Sequence, residues 1–144
     1  MAVISGYNLP DDLYYTDEHA WARVEGARVR VGLNDFAQKL AGEISFVKLP
    51  KPGKEAAVDK VLFSLQSGKW AGKIKSPVGG TVAEVNEDLT FEPGKINQDC
   101  YGEGWVALIE PVDLEADRKA LIFGADAVSE WVAREIAAHP APKG

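Results

Sequence analysis

A chain of 144 residues with a net charge of −6 has room for one domain and a small appendage. It can bury roughly 70% of its unfolded surface, and four Trp residues help to fill the core that results. The acidic balance, in which no basic stripe is read, argues against nucleic acid and anionic membrane as partners.

The single cysteine, Cys100, cannot close an internal disulfide, which suits a reducing compartment. The sequence has no basic-plus-apolar leader and no apolar run of the roughly 18 residues that a membrane span needs. A soluble, cytoplasmic protein is expected.

Leu9-Pro10-Asp11-Asp12 reads as an entry turn. Tyr14-Tyr15-Thr16 and residues 20–24 read as short strands, with Glu25-Gly26 as a hairpin turn. Residues 28–33 alternate polar and apolar side chains, the mark of a half-buried strand. Asn34 or Asp35 can cap a short helix. Phe36 and Leu40 share a face of it, and Gly42 sits where a C′ glycine ends it. Strand character returns over residues 44–49 and is broken by residues 50–54.

Residues 61–65 form the next strand-like run, leading into Gln66-Ser67-Gly68-Lys69-Trp70-Ala71-Gly72-Lys73. Ile74 and then residues 76–85 follow. Lys69 therefore falls at the tip of a tight turn between two strand-like runs. A lysine lifted off a rigid β frame suits a protein that carries a cofactor on a swinging arm, so the residues point to a carrier rather than a catalyst.

Glu92-Pro93-Gly94 and residues 97–104 read as loops, and residues 105–109 as the last strand. Asp113 can cap a helix running through Leu121 and closed by Gly124. Asp126 can cap another, on which Val128, Trp131, Val132 and Ile136 share one face. Residues 141–144 are expected to fray. The chain reads as mostly β, a sandwich or flattened barrel with a short internal helix and a helical C-terminal tail.

Catalytic and metal motifs are missing from the sequence. The histidines are His19 and His139, and there is no Cys-x-x-Cys, His-Glu-x-x-His or P-loop. Gly102-Glu103-Gly104 precedes a strand and opens no helix, so it is not a dinucleotide fingerprint. No Gly-x-Ser-x-Gly nucleophile elbow occurs. His19 reads as a structural histidine packed near Trp21, and Cys100, with no base beside it, as a buried or incidental thiol.

An ordered set of matches spans roughly residues 13–110. Tyr15-Thr16-Asp17-Glu18-His19 with Trp21 comes first, then Val31-Gly32-Leu33-Asn34-Asp35-Phe36-Ala37-Gln38 with Leu40 and Gly42. Val47-Lys48-Leu49-Pro50 and Pro52-Gly53 come next, followed by Ser67-Gly68-Lys69 and Ser76-Pro77-Val78-Gly79-Gly80. Glu84-Val85-Asn86, Leu89, Pro93, Ile96-Asn97 and Tyr101-Gly102-Glu103-Gly104-Trp105 close the pattern. In these residues the chain resembles the H protein of the glycine cleavage system, a lipoyl carrier.

The resemblance implies a lipoyl-domain-like β sandwich (barrel-sandwich hybrid). It would occupy residues 1–111, with residues 112–144 as a helical extension packed on it. It also implies lipoate amide-linked to Lys69, flanked by Gln66, Ser67, Gly68, Trp70 and Lys73. Lys73 and Lys75 lie at the wrong spacing from Ser76-Pro77, and the Met-Lys-Met core of biotin carriers is absent. A lipoate ligase or lipoyl transferase would attach the arm. The chain would be a monomeric, cytoplasmic substrate of other enzymes, with no nucleic acid or membrane partner.

The chain also departs from the family pattern around the arm. Gln66 replaces the usual Glu, Gly68 a valine-like residue, Trp70 a small residue and Lys73 an acidic one. His19-Ala20-Trp21 replaces His-Glu-Trp, and Phe36 stands where a polar residue is common. Carboxylates favour a cationic load and lysine repels one. These departures favour an anionic or neutral load, as in H-like lipoate-binding proteins of bacterial sulfur oxidation, which work with a heterodisulfide-reductase-like complex. The alternatives are an aminomethyl carrier serving glycine decarboxylase, aminomethyltransferase and dihydrolipoyl dehydrogenase, and an unmodified H-like structural or regulatory module.

Overall fold

The computed structural model describes residues 3–4, 7–10, 12–16, 18–58, 60–68 and 71–138, and of residues 3–4, 7–8, 125 and 136–138 the backbone alone. Strands dominate. β1 (Val3–Ile4) and β2 (Tyr7–Asn8) form a small antiparallel ribbon that sequence reasoning did not find. β3 (Tyr14–Tyr15), β4 (Ala20–Glu25) and β5 (Arg28–Leu33) are antiparallel neighbours. Glu25 pairs with Arg28, so Gly26 and Ala27 make the turn. Gly26 has φ +63, a left-handed value that a residue without Cβ adopts freely.

α1 (Asp35–Ala41) follows β5 directly. Of the two candidate caps, Asn34 is the one that acts: its Oδ1 accepts from the Ala37 N–H at 2.9 Å, and Asp35 lies in the first turn. Gly42 ends the helix at φ +79, its N–H donating to the Gln38 carbonyl. Next come β6 (Ile44–Lys48), β7 (Glu55–Ala56), β8 (Val61–Ser67), β9 (Ala71–Lys75) and β10 (Gly80–Val85).

Sequence reasoning did not find two single-turn helices, α2 (Asp88–Phe91) and α3 (Lys95–Gln98), of which α3 runs into the loop expected from residue 97. Neither has a side-chain cap bond, and four residues are too few to display a helical period. β11 (Ala107–Pro111) starts two residues later than the expected last strand.

The strands form a six-stranded sheet in the order β3-β4-β5-β11-β10-β7 and a three-stranded sheet in the order β6-β8-β9. Val29, Val31, Val82 and Ile109 of the first share one buried cluster with Val47, Phe63, Leu65 and Ile74 of the second. This is the core of the β sandwich, and each fully buried large side chain in it contributes roughly 1.5–3 kcal/mol.

α4 (Leu114–Arg118) is capped by Asp113, as expected, through a bond from the Ala116 N–H to Oδ1. It stops at Arg118 rather than Leu121 because Ile122 pairs with Tyr15, with backbone bonds of 2.9 and 2.8 Å. α5 (Ala125–Ala138) begins before Asp126, which therefore lies in its first turn and does not cap it. Val128, Trp131 and Val132 of α5 pack with Leu9, Leu13, Tyr15, Trp21 and Phe36 in a second cluster. The Ile136 side chain and the frayed end expected at residues 141–144 lie outside the described residues. No helix among the described residues is long and apolar enough to cross a membrane.

Candidate functional site

The β8–β9 hairpin pairs Ser64 with Lys73, Leu65 with Gly72 and Gln66 with Ala71. Lys69 and Trp70, singled out in the sequence, lie outside the described residues, between Gly68 and the first residue of β9. The structure describes the base that presents them.

That base is tied down on several sides. Ser67 Oγ donates to the Ala41 carbonyl at 2.7 Å, fixing the end of β8 to the end of α1. Ser45 Oγ donates to the Gln66 carbonyl at 3.1 Å. At the far end of β9 the Lys75 N–H donates to Glu18 Oε1 at 2.9 Å. Asn97 links α3 to the start of β6, its Oδ1 accepting from the Ile44 N–H at 2.8 Å and its Nδ2 donating to the Gly42 carbonyl at 2.7 Å. Gly68, by contrast, is exposed, and a Cβ built on it meets no atom of the described residues within 4 Å. The described part of the hairpin is thus a firm base, as a tethered group requires.

Gln66 is exposed on β8, facing Phe46 on one side and Ala71 on the other. Lys73 is exposed on β9 and lines a cleft of about 300 Å3 with Lys48, Lys54, Pro50 and Val61. Among the described residues no carboxylate is within ion-pairing distance of Lys48, Lys54 or Lys73. Sequence reasoning missed Lys48 and Lys54. The outward alternation of Phe46 and Lys48 along β6 was a readable signal, but their alignment with β9 follows from register alone.

The remaining departures have structural roles. Ala20 is fully buried in β4, and Phe36 is fully buried in the cluster beneath α5. His19 is structural, as expected, but its ring neighbours are Phe36 at 4.8 Å and Trp131 at 4.9 Å. Cys100 is buried, and burial, reinforced by Asp35 and Asp99, pushes its thiol up to about 12. It stays protonated near neutral pH and supplies no thiolate. Among the described residues no three His, Cys, Asp or Glu side chains group to hold a metal ion.

The family model for the glycine cleavage H-protein matches residues 13–134. The glycine cleavage system H protein of Halalkalibacterium halodurans is 40% identical over 128 residues, which are 89% of this chain and 98% of that protein. The probable glycine cleavage system H protein of Pyrococcus abyssi is 45% identical over 123 residues, 85% of this chain and 91% of the relative. The crystal structure of a glycine cleavage system H protein from Mycobacterium marinum aligns with a TM-score of 0.75 at 28% identity, covering 88% of this chain and 98% of that one. Sequence, coverage and fold agree: the chain belongs to the glycine cleavage H-protein family, whose members carry lipoate covalently on a lysine and serve as substrates of partner enzymes rather than as enzymes.

Proposed function

We propose that Lys69 is the lipoyl-lysine and that this chain is the aminomethyl carrier of a glycine cleavage system. The observation that carries this reading is the relatives themselves: proteins 40% and 45% identical over most of the chain are named as glycine cleavage H proteins. The strand ladder supports Lys69 over its neighbours. Lys73 pairs with Ser64 and Lys75 with Val61 inside the sheet, whereas Lys69 falls in the stretch between β8 and β9.

The chain's own residues act as a mount. Ser67 and Glu18 hold the two ends of the hairpin, and Gly68, next in sequence to the lysine, is exposed. Amide formation removes the lysine charge while keeping its flexible stem. When bound, lipoate supplies the thiol–disulfide chemistry that the protonated Cys100 does not. The partners are a lipoate ligase or lipoyl transferase, then glycine decarboxylase, aminomethyltransferase and dihydrolipoyl dehydrogenase. The reading includes a cytoplasmic monomer with residues 1–111 as the carrier and 112–144 as an extension packed on it.

The sulfur-oxidation role expected from Gln66 and Lys73 finds no support in the names of these relatives. One observation keeps it as a second reading: Lys48, Lys54 and Lys73 line the same cleft, and lysines there disfavour a cationic load. Incubating the lipoylated protein with glycine decarboxylase, pyridoxal phosphate and glycine tests the choice. Efficient aminomethyl loading supports glycine cleavage. An arm that is attached and reduced by dihydrolipoyl dehydrogenase with NADH yet never loaded from glycine favours the second reading. Absence of any lipoyl group under every condition leaves the unmodified module.

A further inference from the structure

The lysines of this acidic chain are concentrated around the hairpin. Residues 44–78 hold seven lysines against Glu55 and Asp59, a net +5 in a chain of −6, so the rest of the molecule carries −11. Register gathers much of that charge on one face. On the outer side of the β6-β8-β9 sheet, Phe46, Gln66 and Ala71 form one row across the strands, and Lys48, Ser64 and Lys73 form the next. With strands about 4.8 Å apart, Lys48 and Lys73 stand roughly 10 Å from each other across Ser64, and Lys54 joins them along the cleft.

We propose that the outer face of the β6-β8-β9 sheet docks an acidic surface of the partner enzyme that acts on the arm. The proposal rests on the carrier reading for the identity of the partner, but not for its charge. Three lysines with no carboxylate of the described residues in ion-pairing reach repel one another weakly through solvent, and a partner's carboxylates would relieve this. The face is three strands wide and includes Phe46, 53% exposed, and Val61, 43% exposed. An apolar anchor inside a charged rim suits a protein interface. An extended polyanion such as nucleic acid, or an anionic bilayer, would meet repulsion from the −11 carried by the rest of the chain.

Two measurements on the full chain test the proposal. In the first, a short poly-glutamate peptide is titrated into 15N-labelled protein at low salt, with free glutamate at the same carboxylate concentration as control. Amide shifts confined to β6, β8 and β9, lost on adding salt, are expected. The double variant Lys48→Glu with Lys73→Glu should weaken peptide binding about tenfold, while Lys119→Glu with Arg134→Glu, equal in charge change, should alter it less than about twofold. Shifts spread over the molecule, equal weakening by both variants, or equal shifts with free glutamate would overturn the proposal. Matched thermal melts confirm that all variants fold.

The second measurement follows loading of the lipoylated protein by glycine decarboxylase. The Lys48 and Lys73 variant should raise KM about tenfold with kcat unchanged and flatten the salt dependence. An unchanged KM would contradict the proposal. If the unsubstituted chain is not loaded at all, the glycine reading fails, and the peptide titration still decides the docking face.

Discussion

His19 Nε2 lies 2.6 Å from Glu135 Oε1, joining the loop before β4 to α5 across 116 residues of sequence. The imidazole is stacked with Phe36 and Trp131, and its backbone takes a left-handed φ of +71 to reach this position. His19→Ala removes two ring contacts and the hydrogen bonds to Glu135 and Asn34, so urea unfolding should report a loss of about 2–3 kcal/mol with an unchanged m-value. Glu135→Gln keeps an acceptor for the imidazole and should lose about half as much. A loss below about 0.5 kcal/mol for His19→Ala would mean that α5 is held by its apolar face alone.

Gly80 sits where three strands converge. It pairs with Ala56 on β7 and Pro111 on β11, and a Cβ on it would collide with the Glu110 carbonyl oxygen. Backbone cannot move aside as a flexible side chain can. Gly80→Ala should therefore lose about 3 kcal/mol or more, or fail to fold. Gly68→Ala, at an exposed position where a Cβ meets none of the described residues, should lose less than about 0.5 kcal/mol. Thermal melts of the two variants check the contrast, and equal losses would refute it.

The Cys100 thiol makes a pH-dependent prediction. Its pKa moves from 9.0 to about 12 on folding, so the unfolded chain gives up that proton first. The thiol's stabilising contribution is whole below about pH 9 and is lost as pH rises toward 12. Tyr101 is also raised, chiefly by burial, and acts in the same direction. The thiol's share is therefore read as the difference between the unsubstituted protein and Cys100→Ala. Between pH 8 and pH 10.5 the unsubstituted protein should lose more stability than the variant, measured by urea midpoints. Parallel pH profiles would contradict the burial argument. Iodoacetamide should label Cys100 slowly in the native state and rapidly in denaturant.

Local signals made part of this fold legible. The Asn34 cap, the Gly42 terminus, the turn after Glu25 and the Asp113 cap all act through residues within a few positions. Long-range effects were not legible. α4 ends early because Tyr15 captures Ile122, and β7 exists because Gly80 allows a close approach. Phe36 looked anomalous in sequence because its partners, His19 and Trp131, come from distant elements. The hairpin around Lys69 was readable as a turn between strands. The basic face beside it was not, because an overall charge of −6 hides lysines that strand register brings together.

Attachment of the arm to Lys69 is read by mass. The protein should be treated with a lipoate ligase, ATP and lipoate, weighed intact, then digested and mapped. One lipoyl increment on the peptide containing Lys69, abolished by Lys69→Arg in a variant with an unchanged melt, is the predicted result. No increment, or one that maps to Lys73 or Lys75, would contradict it.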